Sequence, residues 1–351
     1  MKRDRKKINV IYICTAEKGP SGGAKIIYKH SEIINNLKKN FTSQVIHIKK
    51  NKSSKWKGSL SKILKLNNSK FYGWDFRDIG VSKNFKYRWF DNKINIKNDF
   101  MLNKNYDFVI IPEIFAHFAE PLLIKKKIPY AIFVQNGYCL EPTNNYAALD
   151  LAYTKAKFII SYSEDITKCI SIAFPNCKNK IFKTSYSIDN KKFNTSIKKK
   201  NIITFMPRKL PEHSKHLLFF LRKKLPSNWV VKPLHNLKEK DVYTYLLKSK
   251  IFLSFSYLEG LPLPPVEAAI AGNKVIGYTG EGGKEYWKSP VFTEIQNGDM
   301  SKFVGEIIGS LKNKKNSKFY EVRNKLIQKF STENEQKNMK KMLKRIASFM
   351  F

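Results

Sequence analysis

The chain opens on a unit that leaves few folds available. Residues 8–14 are a short apolar, β-rich run, followed by the loop Glu17-Lys-Gly-Pro-Ser-Gly-Gly23. Ala24, Ile27, Tyr28, Ser31, Ile34 and Leu37 then recur at helical spacing. A strand that passes through a glycine-rich loop into an amphipathic helix is the first unit of a parallel α/β sheet. Strand-like runs recur at 43–48, 107–112, 130–135 and 157–162. The stretch from about 50 to 105 breaks the pattern and reads as an insertion. It is rich in Lys and Asn and carries Trp56, Phe71, Tyr72, Trp74, Tyr87, Trp89 and Phe90. Packing on the first sheet is the favoured role for these rings, ahead of stacking on a glycan or touching a membrane. After a polar run at 198–201, which reads as a linker, a second series begins. Strands are expected at 202–206, 229–234, 251–255, 274–278 and 291–295, with helices near 214–224, 240–248, 264–271 and 300–311. Met339, Met342, Leu343, Ile346 and Met350 put an apolar stripe on a helix at the tail. The expected organisation is two doubly wound domains, 1–198 and 199–325, with 326–351 packing back on the first.

The formal net charge of +38 points at first to nucleic acid, but 58 of the 66 basic residues are Lys. Readers of nucleic acid favour Arg, whose planar fork matches phosphate and guanine edges. The Lys is spread along a chain also rich in Ile and Asn, so no nucleic-acid partner is expected. The charge still favours anionic ligands and anionic membrane surfaces. Cys14, Cys139, Cys169 and Cys177 form no CxxC pair and read as free thiols of a reducing compartment. No run has the apolar length of a membrane span, and the basic start leads into a first strand rather than a signal peptide. The expectation is a cytoplasmic protein, with peripheral contact at the inner face of the membrane.

The most informative segment is Ser254-Phe-Ser-Tyr-Leu-Glu259-Gly-Leu-Pro-Leu-Pro-Pro-Val-Glu267-Ala-Ala-Ile-Ala-Gly272. A strand over 251–255 delivers Glu259 at its carboxyl end, where ligands bind in open α/β sheets. Pro264 or Pro265 fits a first helical turn and Gly272 fits the position after a helix end. That places Glu267 near the start of a short helix, whose free amides form an anion site. Met206-Pro-Arg208-Lys209 ends the first strand of the second series. Cations there suit an anionic ligand, above all one that gains charge in a transition state. Gly22 and Gly23 suit close backbone approach to an anion. Glu113 and His117, just past 107–112, are titratable groups on the carboxyl-end face of the first sheet and equal candidates for a catalytic role. Gln135, Asn136 and Tyr138 end another strand on the same side and are candidates for lining a ligand pocket.

Glu259 and Glu267, eight apart, with Gly260 and Leu261 between them, resemble the E-x7-E motif of family-4 retaining glycosyltransferases of the GT-B fold. Gly282-Gly283-Lys-Glu285 is similar to that family's Gly-Gly-x-x-Glu loop, one residue shorter. Gly22-Gly23 resembles its N-terminal Gly-Gly loop. The resemblance covers most of the chain and is strongest from about 200 to 300. It implies two Rossmann-like domains facing a cleft and transfer of a sugar from a nucleoside-diphosphate sugar to a saccharide or lipid-linked acceptor, with retention. Glu267 would hold the ribose, and Glu259, Gly260 and Leu261 the sugar. Arg208 with Lys209 or Lys215 would hold the diphosphate, although Lys215 stands seven residues after Arg208 rather than at the family's Arg-x4-Lys spacing. Gly22 and Gly23 would touch donor phosphate or acceptor, His117 or Glu113 the donor sugar or the acceptor, and Gln135, Asn136 and Tyr138 would line the acceptor pocket. No cofactor and no metal are expected, since no Asp-x-Asp stands in a suitable place. The rival readings are a nucleotide-sugar epimerase or hydrolase of the same fold and, further off, a basic nucleic-acid-binding protein.

Overall fold

β1 (Ile8–Thr15) is buried on both faces, as its near-continuous apolar run requires of a central parallel strand. The computed structural model describes residues 7–17, 19, 21–37, 40–51, 73–193, 197–312 and 315–350. Of the aromatic residues singled out above, Trp56, Phe71 and Tyr72 lie outside these. α1 (Gly22–Asn36) begins at Ser21, whose side chain accepts from the Ala24 amide at 3.3 Å, and buries Ile27, Tyr28, Ser31 and Ile34. With β2 (Phe41–Lys50), β3 (Ile79–Val81), β4 (Asp107–Pro112), β5 (Tyr130–Phe133), β6 (Phe158–Ser161) and β7 (Ile181–Lys183), β1 makes a sheet of order β3-β2-β1-β4-β5-β6-β7. Every pairing is parallel except β2 with β3. α2 (Tyr146–Lys155) and α3 (Glu164–Ala173) complete this half.

The described rings of the irregular stretch pack inward. Tyr87 and Phe90 are buried, and Phe90 meets Tyr28 edge-to-face at 4.9 Å. The Tyr28 hydroxyl bonds His47 Nε2 at 2.8 Å and accepts from the Tyr87 amide at 3.2 Å. Trp89 is half-buried, with the Lys25 ammonium 5.6 Å above its ring.

The second sheet contains β8 (Ile202–Phe205), β9 (Val230–Pro233), β10 (Ile251–Glu259), β11 (Lys274–Glu281) and β12 (Phe292–Glu294), all parallel, in the order β12-β11-β10-β8-β9. α4 (Pro211–Leu221), α5 (Glu239–Lys248), α6 (Leu263–Ile270), α7 (Met300–Ser310) and α8 (Ser317–Lys329) accompany it. Its core joins Phe205, Leu217, Leu253, Phe255, Ile276 and Phe303.

The chain divides into two compact units: Met1–Tyr162, Ile166–Thr184 and Gln336–Phe351 in one, and Ser163–Asp165 and Ser185–Glu335 in the other. The polar run at 198–201 therefore lies within the second unit. It is not a free tether, because Lys199 Nζ donates to the carbonyls of Leu246 (3.0 Å) and Ala271 (2.7 Å). α9 (Thr332–Met350) buries Met339, Met342, Leu343 and Ile346. Within the first unit Phe349 stacks on Phe158 at 6.2 Å and the Arg345 guanidinium lies 5.2 Å from the same ring. Among the described residues no helix is long and apolar enough to cross a membrane.

Candidate functional site

The second sheet winds in both directions from β8 and β10, which are hydrogen-bonded neighbours although not consecutive in the chain. The segments leaving their carboxyl ends diverge, and such a switch point is where α/β sheets bind ligands. Met206, Arg208, Lys209, Ser256, Glu259 and Pro264 line an open concavity there. Lys209 Nζ lies 3.0 Å from Glu259 Oε1, so the two functional candidates form an ion pair. Two non-glycine residues next to this pair have left-handed backbones, Leu210 (φ 44°) and Leu258 (φ 46°). Each such residue costs on the order of 1–3 kcal/mol and persists only where its surroundings hold it. Leu258 lies in an irregularity where the register of β10 against β11 shifts between Ser256 and Glu259. The strand resumes to pair Glu259 with Glu281, so β10 runs four residues beyond its expected end and carries Glu259 on its last residue.

Lys209 and Lys215 part company. Lys209 is half-buried beside Glu259, whereas Lys215 stands exposed on α4 and does not line the concavity. Arg208 lines it and is exposed. Gly260 is buried, and its carbonyl accepts from Ser163 Oγ at 2.6 Å; Leu261 is half-buried. A Cβ on Gly282 would collide with the Gly260 carbonyl oxygen, so only glycine lets the 280–283 loop lie against this turn. Glu285 is an anchor of that loop: Oε1 pairs with Lys329 Nζ at 2.7 Å and Oε2 accepts from the Glu164 amide at 2.8 Å.

Glu267 corrects the sequence expectation. α6 begins at Leu263, which places Glu267 fifth in an eight-residue helix rather than at its start. Pro264 and Pro265 occupy its second and third positions, and proline has no N–H. The first turn thus lacks most of the free amides expected of an anion site. Glu267 is half-buried and is not among the residues lining the concavity. Its carboxylate stands near Tyr186 and Tyr243, where it adds to burial in pushing both hydroxyls' pKa up.

In the first unit the switch point lies between β1 and β4. Gln135 Nε2 donates to the Gly23 carbonyl at 3.1 Å, and a Cβ on Gly23 would strike the Gln135 amide oxygen. The Asn136 amide donates to Glu113 Oε1 at 3.0 Å, while Asn136 Oδ1 accepts from the Tyr138 amide at 3.2 Å. Gly23, Glu113, Gln135, Asn136 and Tyr138 are therefore brought together; Gly22 begins α1 beside them. Glu113 is only 3% exposed, and burial pushes its carboxyl up to about 7 despite backbone N–H bonds that favour the charged form. Its Oε2 is buried with no partner among the described residues. His117 turns elsewhere: Nε2 donates to the Trp74 carbonyl at 2.9 Å, and burial lowers the ring's pKa. Two further features escaped sequence reading. Tyr278 is hydrogen-bonded to His213 Nδ1 at 2.9 Å and to the Gly298 amide at 3.2 Å, and Ser256 lines the concavity. Tyr278 stands in no motif, and Ser256, although inside the quoted 254–272 segment, carries no signal of its own; the packing of β10, β11 and α4 reveals both.

Two Rossmann-like sheets, the second carrying its cations and Glu259 at the switch point, define a two-sheet α/β protein of the GT-B type. Solved structures agree over nearly the full chain. Anabaena HepE in complex with UDP matches with TM-score 0.66 at 12% identity, covering 96% of this chain and 99% of that one. The lipopolysaccharide outer core galactosyltransferase WaaB matches at 0.61 and 12%, covering 97% and 99%. The N-terminal domain of Candida albicans trehalose-6-phosphate phosphatase also matches at 0.61 and 10%, covering 97% and 96%. At these identities the likeness establishes the fold. No protein-family model matches the chain, and no curated protein matches it in sequence.

Proposed function

We propose that this chain is a glycosyltransferase that moves a sugar from a nucleoside-diphosphate sugar to a hydroxyl of a saccharide or lipid-linked saccharide. The reading includes retention of anomeric configuration and no need for a metal. The observation that carries it is the Lys209–Glu259 pair beside Arg208 at the β8–β10 switch point. Arg208 and Lys209 supply fixed positive charge for a diphosphate, and Glu259 supplies an acceptor for sugar hydroxyls. The bond from the anomeric carbon to the distal phosphate oxygen breaks as the acceptor oxygen bonds to that carbon. The departing phosphate takes the acceptor proton. HepE, of like fold, has been solved with UDP and with UDP-glucose, which supports a nucleotide-sugar donor here. In the first unit Glu113 acts through Asn136, fixing the 135–138 turn beside Gly23, rather than by touching substrate.

The test is a melting-temperature panel of nucleoside diphosphates and their sugars, because a ligand of the native state raises the midpoint by mass action. Stabilisation by one nucleotide class, lost in Arg208→Ala, is the expected result. Product analysis with a glycan acceptor then separates transfer from hydrolysis or epimerisation of the donor alone. A flat panel at millimolar ligand sinks the proposal.

A further inference from the structure

The carboxyl end of α6 carries a cluster of charge that the donor site does not use. Lys199 Nζ donates to the Ala271 carbonyl at 2.7 Å and to Leu246, at the end of α5, at 3.0 Å. Lys315 Nζ donates to the Gly272 carbonyl, and Arg323 Nε to Ile270 at 2.8 Å. Cations near a helix carboxyl end are ordinary, but the amounts here do not balance. Two helix ends offer about −0.5 charge each, against one guanidinium and two ammonium groups, of which Lys199 is only partly protonated at neutral pH. Between about +1 and +2 is left over, and Lys250 stands close enough to add to the repulsion on Lys315. Among the described residues no carboxylate is hydrogen-bonded or ion-paired to Lys199, Lys315 or Arg323. An ammonium and a guanidinium carry more N–H donors than these bonds use, so all three cations keep donors to spare.

Two of these side chains also flank Gly272. Gly272 has φ 83°, and the position its missing Cβ would take lies 3.7 Å from Lys199 Cε, 3.9 Å from Lys199 Nζ and 4.0 Å from Lys315 Nζ. A side chain at 272 would lie against both ammonium groups, and the glycine leaves them uncovered on that side. We propose that this cradle over Gly272, walled by Lys199, Lys315 and Arg323, binds a tetrahedral phosphate oxyanion. A phosphate group carries about −1.5 to −2 charge at neutral pH, which matches the excess. Its oxygens are acceptors only, as the spare donors require. The ligand is free phosphate or the phosphomonoester end of a larger molecule.

Burial, then the charges of Lys315 and Arg323, push the Lys199 amine down to about 7. Part of it is therefore uncharged and nucleophilic at neutral pH. A bound phosphate would both cover it and restore its proton. The experiment is acetylation of the full-length wild-type chain at pH 7, followed site by site by mass spectrometry. Exposed Lys340 serves as the internal standard, and ionic strength is held constant with chloride. Inorganic phosphate at ten times its dissociation constant is expected to slow labelling of Lys199 relative to Lys340 by about tenfold, following site occupancy. Protection should disappear in Lys315→Met. Repeating the series with glycerol 3-phosphate separates the sources: protection by both points to a phosphomonoester ligand, and by inorganic phosphate alone to the free ion. Unchanged labelling of Lys199 up to 20-millimolar-scale phosphate overturns the proposal, as does protection that survives Lys315→Met.

Discussion

Replacing Glu259 by Gln should move two affinities in opposite directions. Without ligand, Lys209 is shared with Glu259 at 3.0 Å, the two side chains being 41% and 22% exposed. A partly exposed pair of this kind is worth about 0.2–1 kcal/mol. Gln keeps the shape and removes the charge, so Lys209 is released for the diphosphate. Binding of the free nucleoside diphosphate should then tighten by up to about fivefold. The sugar loses a charged hydrogen-bond acceptor worth about 1.5–3 kcal/mol, so turnover should fall about 10- to 150-fold. Stability should change by no more than about 1 kcal/mol, the worth of the exposed pair. Isothermal titration with the nucleoside diphosphate, initial-rate kinetics and a urea melt measure the three effects. The reasoning fails if the variant binds the nucleoside diphosphate more weakly, in step with its loss of turnover. In that case Glu259 would be organising the whole concavity rather than competing for Lys209.

Glu113 makes stability depend on pH. Its carboxyl is raised from 4.5 to about 7 by burial, so the native state holds a proton that the unfolded chain releases. This contribution is fully present below pH 4.5 and is lost as pH rises towards 7; it amounts to on the order of 3 kcal/mol. Urea midpoints between pH 5 and 8 should show that slope, and Glu113→Gln should flatten it. Gly282→Ala drives a Cβ into the Gly260 carbonyl; we expect a loss of about 1–3 kcal/mol and weaker donor binding, read by thermal melts with and without ligand. Ile346→Ala empties a fully buried position on α9 and should cost about 2–5 kcal/mol, whereas an exposed neighbour such as Lys344→Ala should cost little; equal midpoints for the two would contradict the packing of this helix.

Hydrophobic periodicity made most of the two sheets readable. Strands buried on both faces, such as β1 and β4, write themselves as unbroken apolar runs. β3 and β7 have three residues each, at opposite edges of the first sheet, and one contains a glycine; runs so short leave no period to detect. α2 buries only Leu149, Ala152 and Tyr153, and α8 only Phe319 and Leu326, too few positions to mark a stripe. The candidate site was legible as separate pieces, because Arg208, Lys209 and Glu259 each follow a strand. Their meeting was not, since it depends on β8 lying beside β10 across an intervening strand and two helices. The choice between Lys209 and Lys215 turns on which way α4 faces, and the misplacement of Glu267 on where α6 starts. Both are set by packing rather than by spacing.

The prolines of α6 have a consequence for how such a site responds to its medium. A phosphate held by backbone amides is gripped by groups that no single substitution removes and that salt screens little. With Pro264 and Pro265 in the first turn, that grip is largely withdrawn, and on the proposed function the work passes to two side-chain cations, at least one of them exposed. Recognition of this kind weakens as ionic strength rises. It is also modular: each charge can be deleted, weakened or inverted without disturbing the helix. On that reading, the same two prolines make this end of the sheet sensitive to the salt around it and open to redesign one residue at a time.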